Sequence, residues 1–237
     1  MKVGFICAMD CEMTELLELF QDVTVTNIGS VDYHAGMLFD HEMVICCSGV
    51  GKVCAGIAAA ILCSHFSVDL VINIGVSGGV KPLNCRDIVF STGAVQHDFN
   101  TAPFDPPMHV CVVNKLVIPV SENDARTLAK IAEEMYPERS RTGLVLTGDQ
   151  FVHGGKADEL LRLIDETEWG PEKPMAIEME GGAVAQACHM FKTRCVVIRY
   201  VSDVLGDSNQ VSSFEEIKND HTGELIPVLR TFFSNIQ

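Results

Sequence analysis

Positive charge is scarce in this sequence: 17 lysines and arginines stand against 32 aspartates and glutamates, for a formal net charge of -15. A surface of that sign repels a phosphate backbone and offers no basic stripe to grip one, so nucleic acid is not expected as a partner. No stretch approaches the roughly 20 consecutive apolar residues of a membrane-crossing helix, and the chain is expected to be soluble, with no membrane partner. A CxxC pair and an HExxH are also missing, which leaves the ten cysteines without metal-ligand spacing. The opening MKVGFICAMD lacks the long apolar run of a secretory signal, and several cysteines lie inside apolar stretches such as MVICCSGV at 43–50. Both point to reduced, buried thiols in a cytoplasmic protein rather than to a disulfide scaffold. Linkers, internal repeats and low-complexity tracts are absent as well, so the expectation is a single domain spanning 1–237.

What is present is a large apolar fraction, 47% against 21% charged, the balance of a globular chain able to fill a core. β-type runs at 2–7, 23–31, 33–38, 43–47, 68–74, 87–94, 142–147 and 195–201 are interleaved with helical patterns at 53–66, 124–136, 157–165 and 181–191. A further helical pattern after 8 puts Met13, Leu16, Leu17 and Phe20 on one face. The glycines at 75–79, directly after a strand, would let backbone amides approach a ligand closely or equally serve a tight turn, 110–120 reads as more β-type chain, 166–174 with the sole tryptophan as a surface loop, and 205–213 as a polar, mobile segment. Residues 214–236 read as one helix or two, with breaks near 221–223 and at Pro227. The repeated order of strand, polar or glycine-bearing turn and helix predicts an α/β fold, a three-layer α/β/α sandwich with a mixed, largely parallel central sheet.

Several motifs have ordinary explanations. Gly49-x-Gly51-Lys52 lacks the first glycine and the Ser/Thr of a phosphate loop, and no GxGxxG is present, which counts against triphosphate or dinucleotide binding. His97 and Asp98 are adjacent, so on a strand they point to opposite faces and read as structural. Glu12, alone, is an acid in the first turn of a helix, where the helix dipole favours it. The stretch 176–203 is denser in chemistry. It places Glu178 and Glu180 after one apolar strand, Arg199 within the next, and Asp203 directly after it. Ligands of open α/β sheets sit beyond the carboxyl ends of parallel strands, where these four residues would converge.

Six segments resemble, in order, the nucleoside phosphorylase/hydrolase superfamily and within it the 5'-methylthioadenosine/S-adenosylhomocysteine nucleosidases: GFICAMDCEM at 4–13, SGVGKVCAG at 48–56, VINIGVSGG at 71–79, TGDQFV at 147–152, AIEMEGGAVAQAC at 176–188 and VIRYVSD at 197–203. The resemblance implies a nucleoside phosphorylase-like fold and hydrolysis of an adenine nucleoside to adenine and a 5'-thioribose. It implies Asp203 as the acid that protonates purine N7, and Glu12 as the group that orients and activates water, with Arg199 nearby. Glu180 would hold the ribose hydroxyls, Met179 would pack under the sugar, Phe151 would stack on the purine, and the backbone of Val152 would read the adenine edge. Met9, Val50, Phe104 and Phe214 would form an apolar pocket for the 5'-substituent, and Glu178, Val76, Ser77, Gly78 and Ser202 would complete the substrate surface. The resemblance further implies a homodimer whose neighbouring subunit helps close that pocket.

Breaking an N-glycosidic bond passes through an oxocarbenium-like sugar, and adenine departs poorly unless its ring nitrogen is protonated. The chemistry requires no metal or organic cofactor. Phosphorylases of the superfamily carry a Gly-Asp-Pro-x-Arg type turn after the first strand, where this chain has Ala8-Met9-Asp10-Cys11-Glu12. Two acids there repel a phosphate dianion, so water is the expected nucleophile. A purine or uridine phosphorylase is the nearest alternative, and a non-catalytic nucleoside-binding or storage protein the alternative of another class. Many relatives place a serine where this chain has Val76, the hydroxyl here coming one position later at Ser77.

Overall fold

Along β1 (Lys2–Cys7), Val3, Phe5 and Cys7 turn to one side and Ile6 to the other, and both sides are buried. That two-sided burial is why the run is almost continuously apolar, and it forces helices onto both faces of the sheet. The structure, a computed structural model, describes residues 1–218 and 222–236. On one face, β1 packs with α1 (Asp10–Leu17), α3 (Glu122–Met135) and α7 (Thr222–Ser234); on the other it packs with α2 (Lys52–Ser64) and α5 (Gly181–Phe191). A third apolar cluster joins α4 (Gly155–Glu166) to the far part of the sheet and buries Trp169. This is the expected three-layer arrangement.

The remaining strands are β2 (Gln21–Ile28), β3 (Val31–Leu38), β4 (His41–Cys47), β5 (Leu70–Gly79), β6 (Ile88–Gln96), β7 (Ser140–Thr147), β8 (Pro174–Glu178) and β9 (Arg194–Val204). They form one nine-stranded mixed sheet in the order β2-β3-β4-β1-β5-β8-β7-β6-β9, and β9 pairs back onto β5. That last pairing closes β5, β8, β7, β6 and β9 into a ring. Within the ring β5 runs parallel to β9 but antiparallel to β8. The acid-bearing ends of β8 and β9 are therefore brought together around β5, rather than along one open edge.

The structure corrects several local expectations. The glycines at 75–79 continue β5 instead of turning, with Gly78 paired to both Ile177 and Asp203. Ser202 and Asp203 lie inside β9, not beyond it. The run 23–31 is split by a tight turn at Gly29, which has φ +66°, giving β2 and β3. Segment 110–120 is mostly turn, with isolated bridges Val110↔Lys115 and Ala94↔Ile118. Trp169 is buried and its Nε1 donates to Ile164 O at 2.7 Å. Of the polar segment 205–213, residues 210–213 form the first turn of α6 (Gln210–Ile217). Pro227 lies within α7 rather than ending it, and lacking an N–H it cannot bond the carbonyl of residue 223; residue 221, where a break was expected, lies outside the described residues. Cys54 and Cys111 are exposed, unlike Cys7, Cys46, Cys188 and Cys195.

Candidate active site

Glu12 is the third residue of α1, and its side chain folds back over the strand-to-helix junction. Oε2 accepts the amides of Ala8 at 2.8 Å and Met9 at 3.0 Å, and Oε1 accepts the amide of Val76 at 3.1 Å. The acid is almost fully buried, and burial raises its pKa above the usual glutamate value despite those amides and Arg199. Gly75 is required here by close approach: a Cβ on it would lie 2.9 Å from Glu12 Oε1.

Glu178 ends β8 and is the best-anchored acid of the site. It accepts the Glu180 amide at 2.9 Å and the Gly181 amide at 2.6 Å, which are free donors at the start of α5, and also the Thr147 hydroxyl and Arg199 Nη2. Burial opposes its charge, but Arg199 and these donors outweigh it and hold Glu178 below the ordinary range. Glu180, the N-cap of α5, accepts the Gly51 amide at the start of α2 on Oε1 at 2.9 Å, with Oε2 3.8 Å from Arg199 Nη2. Burial first, and then the neighbouring Glu178, push Glu180 up to about 7.

Asp203 arrives from β9. Its Oδ1 lies 2.7 Å from Ser202 Oγ, whereas its Oδ2 is buried and has no hydrogen-bond partner among the described residues. Burial raises its pKa, against the opposing influence of Ser202 and Gln210. A Cβ at Gly78 would come within 3.3 Å of Oδ2, so β5 is kept bare beside this acid.

Glu12, Glu178, Glu180 and Asp203 all line one cavity of about 370 Å³, a volume suited to a small ligand. Met9, Val50, Val76, Ser77, Gly78, Phe151, Val152, Met179, Ser202 and Phe214 line it too. Phe151 and Phe214 meet edge to face at its rim, with ring centroids 5.3 Å apart. Among the described residues no lysine, arginine or histidine lines it. Two expected members lie elsewhere. Arg199 is buried behind the cavity wall, where it donates to Asn73 Oδ1 at 2.6 Å and to Ile198 O at 3.0 Å as well as to Glu178; it acts on the acids without reaching the cavity. Phe104 is 89% exposed in a turn segment and touches no part of the cavity within this chain.

The lining also includes Ala8, Gln150, Ile177, Leu205 and Gln210, which the sequence reading passed over. The signal for most of them was adjacency to a residue already singled out; Gln210 had none. Lys52 of the glycine-lysine segment pairs with Asp98 at 2.6 Å and with Gln96 Oε1 at 3.3 Å. Asp98 is therefore held in a separate clasp with Lys52, whereas the Nε2 of His97 is buried with no hydrogen-bond partner among the described residues. Among the described residues no group of histidines, cysteines and acids is arranged to hold a metal.

The sequence profile of the Phosphorylase superfamily matches residues 2–232. The 5'-methylthioadenosine/S-adenosylhomocysteine nucleosidase of Tolumonas auensis is 36% identical over 220 residues, covering 91% of each chain. That of Aeromonas salmonicida is 32% identical over 230 residues, covering 95% of this chain and 97% of the relative. A nucleosidase of the same description from Colwellia psychrerythraea, solved in complex with adenine, superposes with a TM-score of 0.89 at 31% identity, covering 99% of this chain and 95% of that one. Matched over nearly its whole length, the chain belongs to the phosphorylase superfamily and, within it, to the 5'-methylthioadenosine/S-adenosylhomocysteine nucleosidases, a family of N-glycosidases.

Proposed function

We propose that this chain hydrolyses the N-glycosidic bond of 5'-methylthioadenosine, S-adenosylhomocysteine or both, releasing adenine and the 5'-thioribose. The observation that carries this reading is the Asp203 carboxyl: one oxygen is tied to Ser202 and the other, buried, is left for a ligand in a cavity shared with Glu12 and Glu180. A carboxyl raised by burial holds a proton near neutral pH better than a free aspartate, and Oδ2 can hand it to purine N7 as the bond to the sugar breaks.

Glu12 carries the opposite half of the reaction. Fixed by three backbone amides, its carboxylate orients a water toward the sugar carbon and takes its proton as the oxocarbenium character develops. Glu180, with Oε1 held by Gly51, presents the remaining carboxylate oxygen to the ribose hydroxyls. Met179 supports the sugar, Phe151 stacks on the base, and Val152 reads the adenine edge. Arg199 is a positioning residue that sets the charge of Glu178 and Glu180 from behind. A cavity lined by acids and, among the described residues, by no cation disfavours a phosphate dianion, which supports water over phosphorolysis.

The same reading takes 1–237 as one domain working as a homodimer in the cytoplasm. Phe104, with Val53 and Ile57 on α2, is an exposed apolar group suited to a second copy, in which Phe104 would complete the 5'-pocket of its neighbour. Ten free thiols fit a reducing compartment. The test is incubation of the purified chain with methylthioadenosine in phosphate-free buffer. Adenine release there is the expected result, and strict dependence on added phosphate would make the chain a phosphorylase.

A further inference from the structure

Gln210, the first residue of α6, is 5% exposed and lines the active-site cavity. Its Nε2 donates to Val152 O at 2.7 Å. The same amide is close enough to the Asp203 carboxylate to favour its ionised form. Asp203 Oδ2 itself has no hydrogen-bond partner among the described residues. One NH2 group thus occupies a backbone carbonyl in a cavity whose lining also holds the Asp203 carboxyl. That pair is the complement of a 6-aminopurine edge, whose amino group donates to a carbonyl while the adjacent N7 accepts from an acid.

We propose that Gln210 is an internal competitor for the purine: its carboxamide stands where the adenine 6-amino group must go, and the base displaces it from Val152 O on binding. The inference rests on the reading of Val152 and Asp203 as purine contacts. It adds a second state to the site, in which α6 is fastened to the purine loop by its own side chain.

α6 is suited to such an exchange. It is a single short helix whose N-cap, Asn209, makes no side-chain capping bond, and it is joined to Asp203 by only a few residues of β9 and turn. Gln210 and Phe214, one turn apart, both line the cavity, and Phe214 meets Phe151 at the rim. Releasing Gln210 therefore removes one tie between the purine loop and the first turn of the helix that carries one wall of the pocket, while Ile217 keeps its other end in the core. The energetic consequence has a definite sign: a ligand that must break an internal hydrogen bond binds more weakly by the worth of that bond, about five-fold for a typical one.

A carbonyl oxygen has two lone pairs, so the rival arrangement is that Val152 O serves Gln210 and the base together. Gln210 would then brace the carbonyl, and its loss would weaken binding. The two arrangements differ in sign, which makes adenine binding by calorimetry decisive. The measurement compares the wild-type chain with Gln210→Ala and with Gln210→Asn, whose amide is one methylene too short to reach. Internal competition predicts that both variants bind adenine about five-fold more tightly, and that their unliganded melting temperatures fall relative to their adenine-bound ones. Unchanged or weaker binding in the variant that folds overturns the proposal. Should wild type bind no adenine at all, the purine site itself is misassigned and the inference falls with it.

Discussion

Ser202 Oγ and Asp203 Oδ1 lie 2.7 Å apart on the same strand, while the second oxygen of that carboxyl is buried with no hydrogen-bond partner among the described residues. Ser202 Oγ also lies 3.1 Å from Ser77 O. A hydroxyl has one proton to donate, and the ionised carboxylate is the stronger acceptor. In the proposed reaction Asp203 gives up its proton, and Ser202 would then stabilise the carboxylate that remains.

Ser202→Ala removes that stabilisation. The pKa of Asp203 rises further, because burial then acts with less opposition, and the alkaline limb of the pH-rate profile moves to higher pH. The acid is weaker, so kcat at the plateau falls by about ten-fold, the worth of one hydrogen bond to a charged group. An alkaline limb that does not move would contradict this account of the pair.

Glu180 gives a pH dependence of its own. Its folded-state pKa of about 7 stands above the ordinary value of 4.5. Between those values the folded chain binds more protons than the unfolded one, so this group makes stability fall as pH rises from about 4.5 to about 7. With Glu180 as the proposed ribose ligand, nucleoside affinity is expected to run the other way, since hydroxyls donate best to the ionised carboxylate. Dissociation constants measured from about pH 6 to about pH 8 should decrease, and Glu180→Gln should flatten the trend; a flat wild-type profile would contradict it.

Gly75→Ala probes the placement of Glu12. The new methyl would fall 2.9 Å from Oε1 and must push the acid off its three amides. A displacement of that kind lowers kcat by about 100-fold, with the melting temperature near that of wild type. Unaltered turnover would show that Glu12 has room to move.

Arg199→Met tests the assignment of Arg199 to the supporting structure. It leaves Glu178 buried with no counter-charge, at a cost of about 3–5 kcal/mol in denaturant unfolding. Adding Glu178→Gln should recover much of that loss. A single variant as stable as wild type would contradict the assignment.

The sequence made the layers legible because β1, β5 and β9 are buried on both faces and so read as unbroken apolar runs. It misled where one residue type serves two purposes. Glycine marks turns, but in β5 it keeps the strand bare beside Glu12 and Asp203. Arg199, a lone charge in an apolar strand, looks catalytic until its partners are seen. The closure of β9 onto β5 and the reach of Gln210 into the cavity depend on contacts between distant segments, and no local periodicity encodes them. Trp169 falls in the same class, since a polar loop conceals which of its residues turns inward.

The central claim is that Asp203 gives its proton to the departing purine. Single-turnover release of adenine from methylthioadenosine by Asp203→Asn, with nucleoside binding measured alongside, tests it most directly. Release slowed by about 1,000-fold or more, with the nucleoside still bound and the fold intact, is the predicted result. Adenine appearing at the wild-type rate would contradict it.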